Sequence, residues 1–312
     1  MPLPSDEKLL ALANDLIAQF EQIFGADPGF RPAHAKGIML TGTFVPTAVA
    51  AGLSKAPHFA TETPVTVRFS NSTGIPLIPD NDPNAGPRGL AVRFNLGEHV
   101  HTDIVGHSTD GFPTHTGAEF LEFLRAVVAS APGTPSPTPI EAFLGGHPAA
   151  LAFVQAPKPA PVSFGTEAYY GVTAMEFLNA AGVSQFGRYR ILPVTGLEHL
   201  DDAAVAAKSA NYLFDEIGER VAAGPIAFKL YAQLAAPGDV VDDATIHWPA
   251  EREVLELGTM TLTALVADTP AEQKHIIFDP IPRVEGIEPS EDPLLELRAA
   301  IYLISGRRRR AA

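Results

Sequence analysis

A chain of 312 residues with 22 basic and 36 acidic side chains carries a formal charge of −14, which argues against nucleic acid or an anionic membrane surface as a partner. It has no cysteine, so disulfides, thiolate metal sites, iron–sulfur clusters and a cysteine nucleophile are excluded. Hydrophobic residues make up 46% and charged residues 19%, ample for a large core, while Pro and Gly at ~18% together indicate a loop-rich folded protein.

The N-terminal stretch MPLPSDEKLLALANDLIAQF has acids where a secretion signal carries basic residues, and no apolar run approaches the ~18 residues that span a bilayer. A cytoplasmic protein is therefore expected. Within residues 6–23, Leu9, Leu12, Ala13, Leu16, Ile17 and Phe20 fall at helical spacing after Ser5, a suitable N-cap. From Val65 the pattern changes to period two. In VTVRFS (65–70) Val65, Val67 and Phe69 face one way, and GLAVRFN (89–95) repeats the arrangement with Leu90, Val92 and Phe94. Further strands are expected at 102–107, 163–177, 187–194, 225–235 and 254–265, with helices at 117–129 and 201–222. A last helix opens at Asp292-Pro293, where Asp can cap and Pro suits the first turn, and is expected to close near Gly306. Seven short strands with Pro and Gly punctuation predict an α+β fold in which an antiparallel sheet closes into a barrel. Apart from the Pro-rich stretch at 131–139 there is no low-complexity block and no linker, so residues 1–312 are read as one domain.

Arg298 and Tyr302 lie four residues apart on the last helix and share a face. A free phenol, with a pKa near 10, is a poor ligand at neutral pH; a guanidinium one turn away favours the phenolate and so a ferric ion. Spacing alone fits a surface Arg beside a core Tyr equally well. His34, in RPAHAKG (31–37), sits in the approach to a strand, where an imidazole can take a proton from one peroxide oxygen and return it to the other, or can simply be a satisfied core residue. His99, His101 and Asp103 have ligand-type spacing and raise the alternative of a zinc or two-metal hydrolase. Arg31, Arg68 and Arg307 to Arg310 suit the capture of carboxylates, or are solvated strand and tail residues.

Taken in order, HAKG (34–37), TPVTVRFSNSTG (63–74), PRGLAVRFN (87–95), DIVGHST (103–109) and DPLLELRAAIYLISGRRR (292–309) resemble the haem catalase superfamily, most closely its short catalase-related peroxidases. The resemblance implies a catalase-like antiparallel β-barrel with flanking helices, here an arm at about 5–24 and a ligand helix at about 292–306, without the C-terminal helical domain of full-length catalases. It implies haem b as cofactor, with Tyr302 as axial ligand and Arg298 as its charge partner. His34 is implied as the distal acid–base residue supported by Ser70, and Arg31, Arg68 and Arg309 as propionate holders. His107 stands where catalases carry a pocket Asn, which implies a changed distal geometry and peroxidation in preference to dismutation. The expected partners are a peroxide and a small-molecule electron donor, with no nucleic acid or membrane, and a homodimer is expected. A hydroperoxide isomerase or dehydratase on the same fold, and a non-enzymatic haem carrier, are the competing expectations.

Overall fold

Strands from residue 37 onward build the frame, the first of them, at 37–46, not among those expected from the sequence. The structure, a computed structural model, describes residues 3–312. Eight strands make the frame: β1 (Gly37–Pro46), β2 (Thr63–Ser70), β3 (Gly89–Gly97), β4 (Val100–His107), β5 (Tyr169–Tyr170), β6 (Ser184–Pro193), β7 (Ile226–Leu234) and β8 (Val254–Leu265). Each pairs antiparallel with the next, and β8 returns to β1 with Phe44 opposite Met260, so the ring closes with no free edge. Two short strands, Met175–Leu178 and Ile287–Pro289, extend the sheet beyond β6.

Val65, Val67 and Phe69 of β2 and Leu90, Val92 and Phe94 of β3 point inward and are buried with Phe44, Phe164, Tyr169 and Phe228. Burial of this kind, at about 25 cal/mol per Å² of apolar surface, is the main term holding the barrel. His58 is the exception among these apolar side chains. It is 1% exposed, its ring lies 4.2 Å from Phe59 and 4.5 Å from Phe94, and its Nδ1 has no partner. Burial pulls its pKa down to about 3, so the ring is neutral.

Outside the barrel lie α1 (Glu7–Phe24), α2 (Gly117–Ala129), α3 (Pro139–Gly146), α4 (Pro148–Gln155), α5 (Tyr212–Ala223), α6 (Thr269–His275) and α7 (Pro293–Ala311). The last helix is gripped from three sides. Leu295 enters the barrel core, Leu297 and Ala300 pack with Leu16 of α1 and Leu121 of α2, and Leu294 meets Val172 and Ala244.

The barrel agrees with the sequence reading, but several boundaries move. Asp6 rather than Ser5 caps α1, accepting from Lys8 and Leu9 N–H at 2.8 and 3.2 Å. Residues 163–177 are not one strand: Ser163 caps a tight turn at Phe164–Thr166, and only Tyr169–Tyr170 and Met175–Leu178 pair. The helix expected over 201–222 breaks at 207–211, where the Ala210 carbonyl turns to accept Asp80 N–H at 2.8 Å. Gly306 does not end α7. A Cβ there would lie 2.3 Å from Ile277, so glycine permits close approach and the helix runs on to Ala311. Helices α3 and α4 escaped the sequence reading, although Thr138 and Glu141 form a capping box that marks the start of α3.

Candidate active site

Four strands bring Gly37, Ser70, Gly89 and His107 side by side as successive cross-strand partners. Direct partners share a face, so Ser70 and His107 project the same way, with glycines leaving room between and beside them. His34 fills the room above Gly89: a Cβ on that glycine would sit 2.7 Å from the His34 Nδ1 and 2.5 Å from the Ser70 hydroxyl. His34 itself adopts φ +57°, a left-handed conformation that a side-chain-bearing residue holds only when its surroundings fix it. They do so here. Its N–H donates to the Ser72 carbonyl at 3.0 Å, its carbonyl accepts from Arg68 Nη2 at 2.8 Å, and its Nδ1 bonds the Ser70 hydroxyl at 3.0 Å.

His107 Nδ1 is held by the Thr109 hydroxyl at 2.7 Å. Neither imidazole Nε2 has a hydrogen-bond partner among the described residues. Burial, reinforced by the charges of Arg68, His107, Arg31 and Arg298, lowers His34 to about 3; burial and Arg298 lower His107 to about 4. Both rings are therefore neutral over the physiological range, and each can accept a proton.

On α7, Asp292 caps the first turn by accepting Leu294 N–H at 2.9 Å, with Pro293 following as read from the sequence. Within the next two turns, Arg298 Nη2 donates to the Tyr302 hydroxyl at 3.3 Å, and its guanidinium carbon lies 5.7 Å from the ring centroid. The helical offset thus aims a permanent positive charge at one phenol oxygen. Arg298 acts electrostatically on both imidazoles, and Tyr302 acts on Arg31, so only a short space separates the two sides.

At the end of that space three guanidiniums converge. Arg31 donates to the carbonyls of Gln273 and Ile276, Arg68 to those of His34 and Ala35 and to the Gln273 side chain, and Arg309 to the Ile276 carbonyl and the Ser305 hydroxyl. None of the three is ion-paired with a carboxylate among the described residues, although the protein is strongly acidic overall. The strain is visible in their titration. Burial and the Arg309 charge pull Arg68 down to about 9, burial and Arg310 pull Arg309 down to about 10, and burial with Arg68 and Arg309 pulls Arg31 well below its ordinary range. Arg309 is 3% exposed and its Nε is unpartnered. Buried like charges without counter-anions are costly, so the cluster is built for a polyanionic ligand. A porphyrin with two propionates fits this donor set, with the Tyr302 oxygen available as a hard anionic ligand for ferric iron.

Seven of the sequence-read residues therefore lie within reach of one another's charge, with Ser70 bonded to His34. The run Arg307 to Arg310 is helical rather than a tail, and only Arg309 of the four turns inward. The alternative metal cluster does not assemble. His99 lies in the β3–β4 turn with its side chain 94% exposed, and the Asp103 carboxylate is taken by two bonds from Arg93, both at 2.8 Å. No group of three or more metal-ligating side chains is placed to hold an ion among the described residues. Sequence reasoning missed Gln273, which bridges Arg31 and Arg68 from a helix more than 200 residues away in the chain. It also missed Gly89, whose role is to be empty.

A family model described as Catalase matches residues 28–312, and the chain belongs to the catalase family. Within it, the chain is 33% identical over 297 residues to a catalase-related peroxidase of Synechococcus elongatus, covering 94% of this chain and 87% of that one. It is 35% identical over 289 residues to a catalase-related peroxidase of Mycolicibacterium paratuberculosis, covering 90% and 89%. A catalase of Pseudomonas syringae pv. syringae is 28% identical, covering 87% of this chain but 56% of its own length. The crystal structure of a fungal catalase superposes with a TM-score of 0.79 at 22% identity, over 90% of this chain and 59% of that one, which supports the fold. The chain thus spans little more than half the length of these longer catalases. The motif resemblance and the barrel are both borne out.

Proposed function

We propose that the protein is a haem b peroxidase that reduces hydrogen peroxide and organic hydroperoxides with electrons from a small-molecule donor, and has weak dismutation activity. The observation that carries this reading is the trio Arg31, Arg68 and Arg309, the last two buried and none paired with a carboxylate, near two neutral imidazoles and an Arg–Tyr pair. Haem, when bound, supplies the electron chemistry of peroxide reduction.

The chain's own residues supply the rest. Tyr302 would hold the iron through its oxygen, with Arg298 hydrogen-bonded to that oxygen as its charge partner. Arg31, Arg68 and Arg309 would hold the two propionates. Neutral His34 takes the proton from one peroxide oxygen and returns it to the other, its ring fixed by the Ser70 hydroxyl. His107 presents a second imidazole at the place where an amide would hold peroxide by hydrogen bonds only, which favours larger hydroperoxides and peroxidation over dismutation.

The test is direct. Purified protein should carry a Soret band with a ferric, oxygen-ligated spectrum and oxidise a dye donor with alkyl hydroperoxide. Tyr302→Phe should lose haem or shift to a weakly ligated spectrum. Protein that takes up no haem on reconstitution, or a Tyr302→Phe variant with unchanged spectrum and haem retention, would overturn the reading.

A further inference from the structure

Behind the imidazole pair lies a buried polar network that the proposed chemistry does not use. Its centre is Asp80, which is 0% exposed. One carboxylate oxygen accepts from Lys36 Nζ at 2.7 Å and from Asn71 Nδ2 at 2.8 Å; the other accepts from Leu213 N–H at 2.9 Å. The Asp80 carbonyl accepts from Arg88 Nη2 at 2.8 Å, and Arg88 Nη1 donates to Asn71 Oδ1 at 2.5 Å. The backbone of Arg88 is tied to Ser108 twice, its N–H donating to the Ser108 hydroxyl at 2.9 Å and its carbonyl accepting from Ser108 N–H at 2.8 Å.

Each member is a chain neighbour of a residue in the imidazole pocket. Asn71 follows Ser70, Arg88 precedes Gly89, Ser108 follows His107, and Lys36 lies two residues after His34. Asn71 N–H also donates to the Lys36 carbonyl at 3.1 Å, so the strand carrying Ser70 is locked to the segment carrying His34. The carboxylate thus ties the segments of Lys36 and Asn71 directly, while Arg88, bonded to the Asp80 carbonyl and to Asn71, brings in the segment of Ser108. A strained left-handed residue such as His34 persists only where its setting is over-determined, and this network supplies that setting.

We propose that Asp80 is a positioning residue for the proton-carrying imidazole: through Lys36, Asn71 and Arg88 it fixes the His34–Ser70 pair and the distance of that pair from His107. The proposal rests on the reading of His34 as proton carrier. It differs from a merely stabilising role because the carboxylate is used as an acceptor on both oxygens. An amide at this position has to set its NH₂ against the donors of Lys36 and Asn71 or against Leu213 N–H, whichever way it is turned. The shape is kept, but at least one of the carboxylate's ties is broken, whereas Lys36→Met removes a tie on the pocket side itself.

The experiment compares wild type, Asp80→Asn and Lys36→Met as full-length chains. In haem-free protein, ¹⁵N-resolved imidazole spectra report the tautomer and titration of His34. In haem-loaded protein, the rate of peroxide consumption per bound haem is followed against pH. We expect wild-type His34 to show one tautomer and to titrate near its lowered value of about 3. In both variants we expect mixed tautomers, titration displaced toward the ordinary 6.5, and an acid limb of the rate profile displaced with it. The rate per haem should fall about tenfold or more, within the range that a positioned acid–base group contributes. If the variants only unfold more readily, with the His34 tautomer, titration and pH profile at wild-type values, Asp80 is structural and the proposal is overturned. If Asp80→Asn does not fold, Lys36→Met decides by the same readings. His34→Gln separates the two layers: a full peroxide rate in that variant overturns the proton-carrier reading, whereas a displaced imidazole in Asp80→Asn still supports the positioning.

Discussion

Gly89→Ala adds one carbon atom at the centre of the pocket, and its effect can be worked from the contacts. The new Cβ would lie 2.5 Å from the Ser70 hydroxyl and 2.7 Å from His34 Nδ1, where ordinary contact begins at 3.4 Å. Ser70 must withdraw by about 0.9 Å and His34 by about 0.7 Å, since atoms at such distances repel steeply. Neither has slack. Ser70 is buried at the end of β2, and His34 is fixed through its N–H and its carbonyl. The 3.0 Å bond between them is the contact that breaks. Loss of one neutral hydrogen bond costs about 0.5–1.5 kcal/mol, and overpacking of a filled site adds about 1–3 kcal/mol. Folding stability should therefore fall by about 2–4 kcal/mol on these two terms. The larger effect falls on chemistry: acid–base assistance of about 10²–10⁴-fold depends on ring placement, so the peroxide rate per bound haem should drop about 10²-fold. Denaturant unfolding measures the first quantity and stopped-flow mixing with peroxide at matched haem content the second. A variant within twofold of wild type in rate would refute the assignment of His34 and Ser70 as a working pair.

Arg68→Met removes one charge-assisted anchor and should weaken haem retention about 10–100-fold, read from the rate of haem transfer to an acceptor protein; unchanged retention would separate Arg68 from the cofactor. His58→Phe replaces a neutral ring that has an unpartnered buried nitrogen with an apolar one of similar shape, and should raise stability by about 1–2 kcal/mol in denaturant unfolding, with peroxide turnover unaltered. Because burial holds His34 and His107 near 3 and 4, the fold favours their neutral forms. That contribution is complete above pH 6.5 and is lost as pH falls through 4 and 3. The peroxide rate should accordingly stay level from about pH 8 to about pH 5 and fall only below about pH 4. A midpoint near the ordinary histidine value would contradict the enclosed pocket.

The parts of the site that were legible in the sequence are those whose spacing carries their chemistry. Arg298 and Tyr302 could be paired because a helix puts residues four apart on one face, and the capping Asp292 fixed where that helix starts. The strands β2 and β3 were legible because apolar side chains on the core-facing side alternate with polar ones on the other. His107 was placed by its motif, and Thr109 holds its ring as a local contact. What escaped depends on contacts between distant segments. Nothing near residue 273 announces that its amide and carbonyl serve Arg68 and Arg31. Gly306 looks like a helix terminator until Ile277 is seen against it, and Asp80 looks like one of many loop acids until four donors are found around it. The break at 207–211 has the same origin, since Ala210 leaves its helix to serve Asp80.

The order in which the barrel strands follow one another has a consequence for synthesis. Every residue on the imidazole side lies between Arg31 and His107, whereas the phenol side lies between Arg298 and Arg309. Strands β1 to β4 pair in succession, each with the next in the chain, and those hairpins can form as they leave the ribosome. The seam between β8 and β1 joins segments more than 200 residues apart, and Gln273 and Ile276 reach Arg31 and Arg68 only after it is closed. A nascent chain therefore displays the basic and imidazole groups for most of its translation without the phenol that would hold iron. On the proposed function, a cofactor's iron could be held only once the helix carrying Tyr302 has emerged and docked, so that helix would set the earliest moment at which the protein can become coloured.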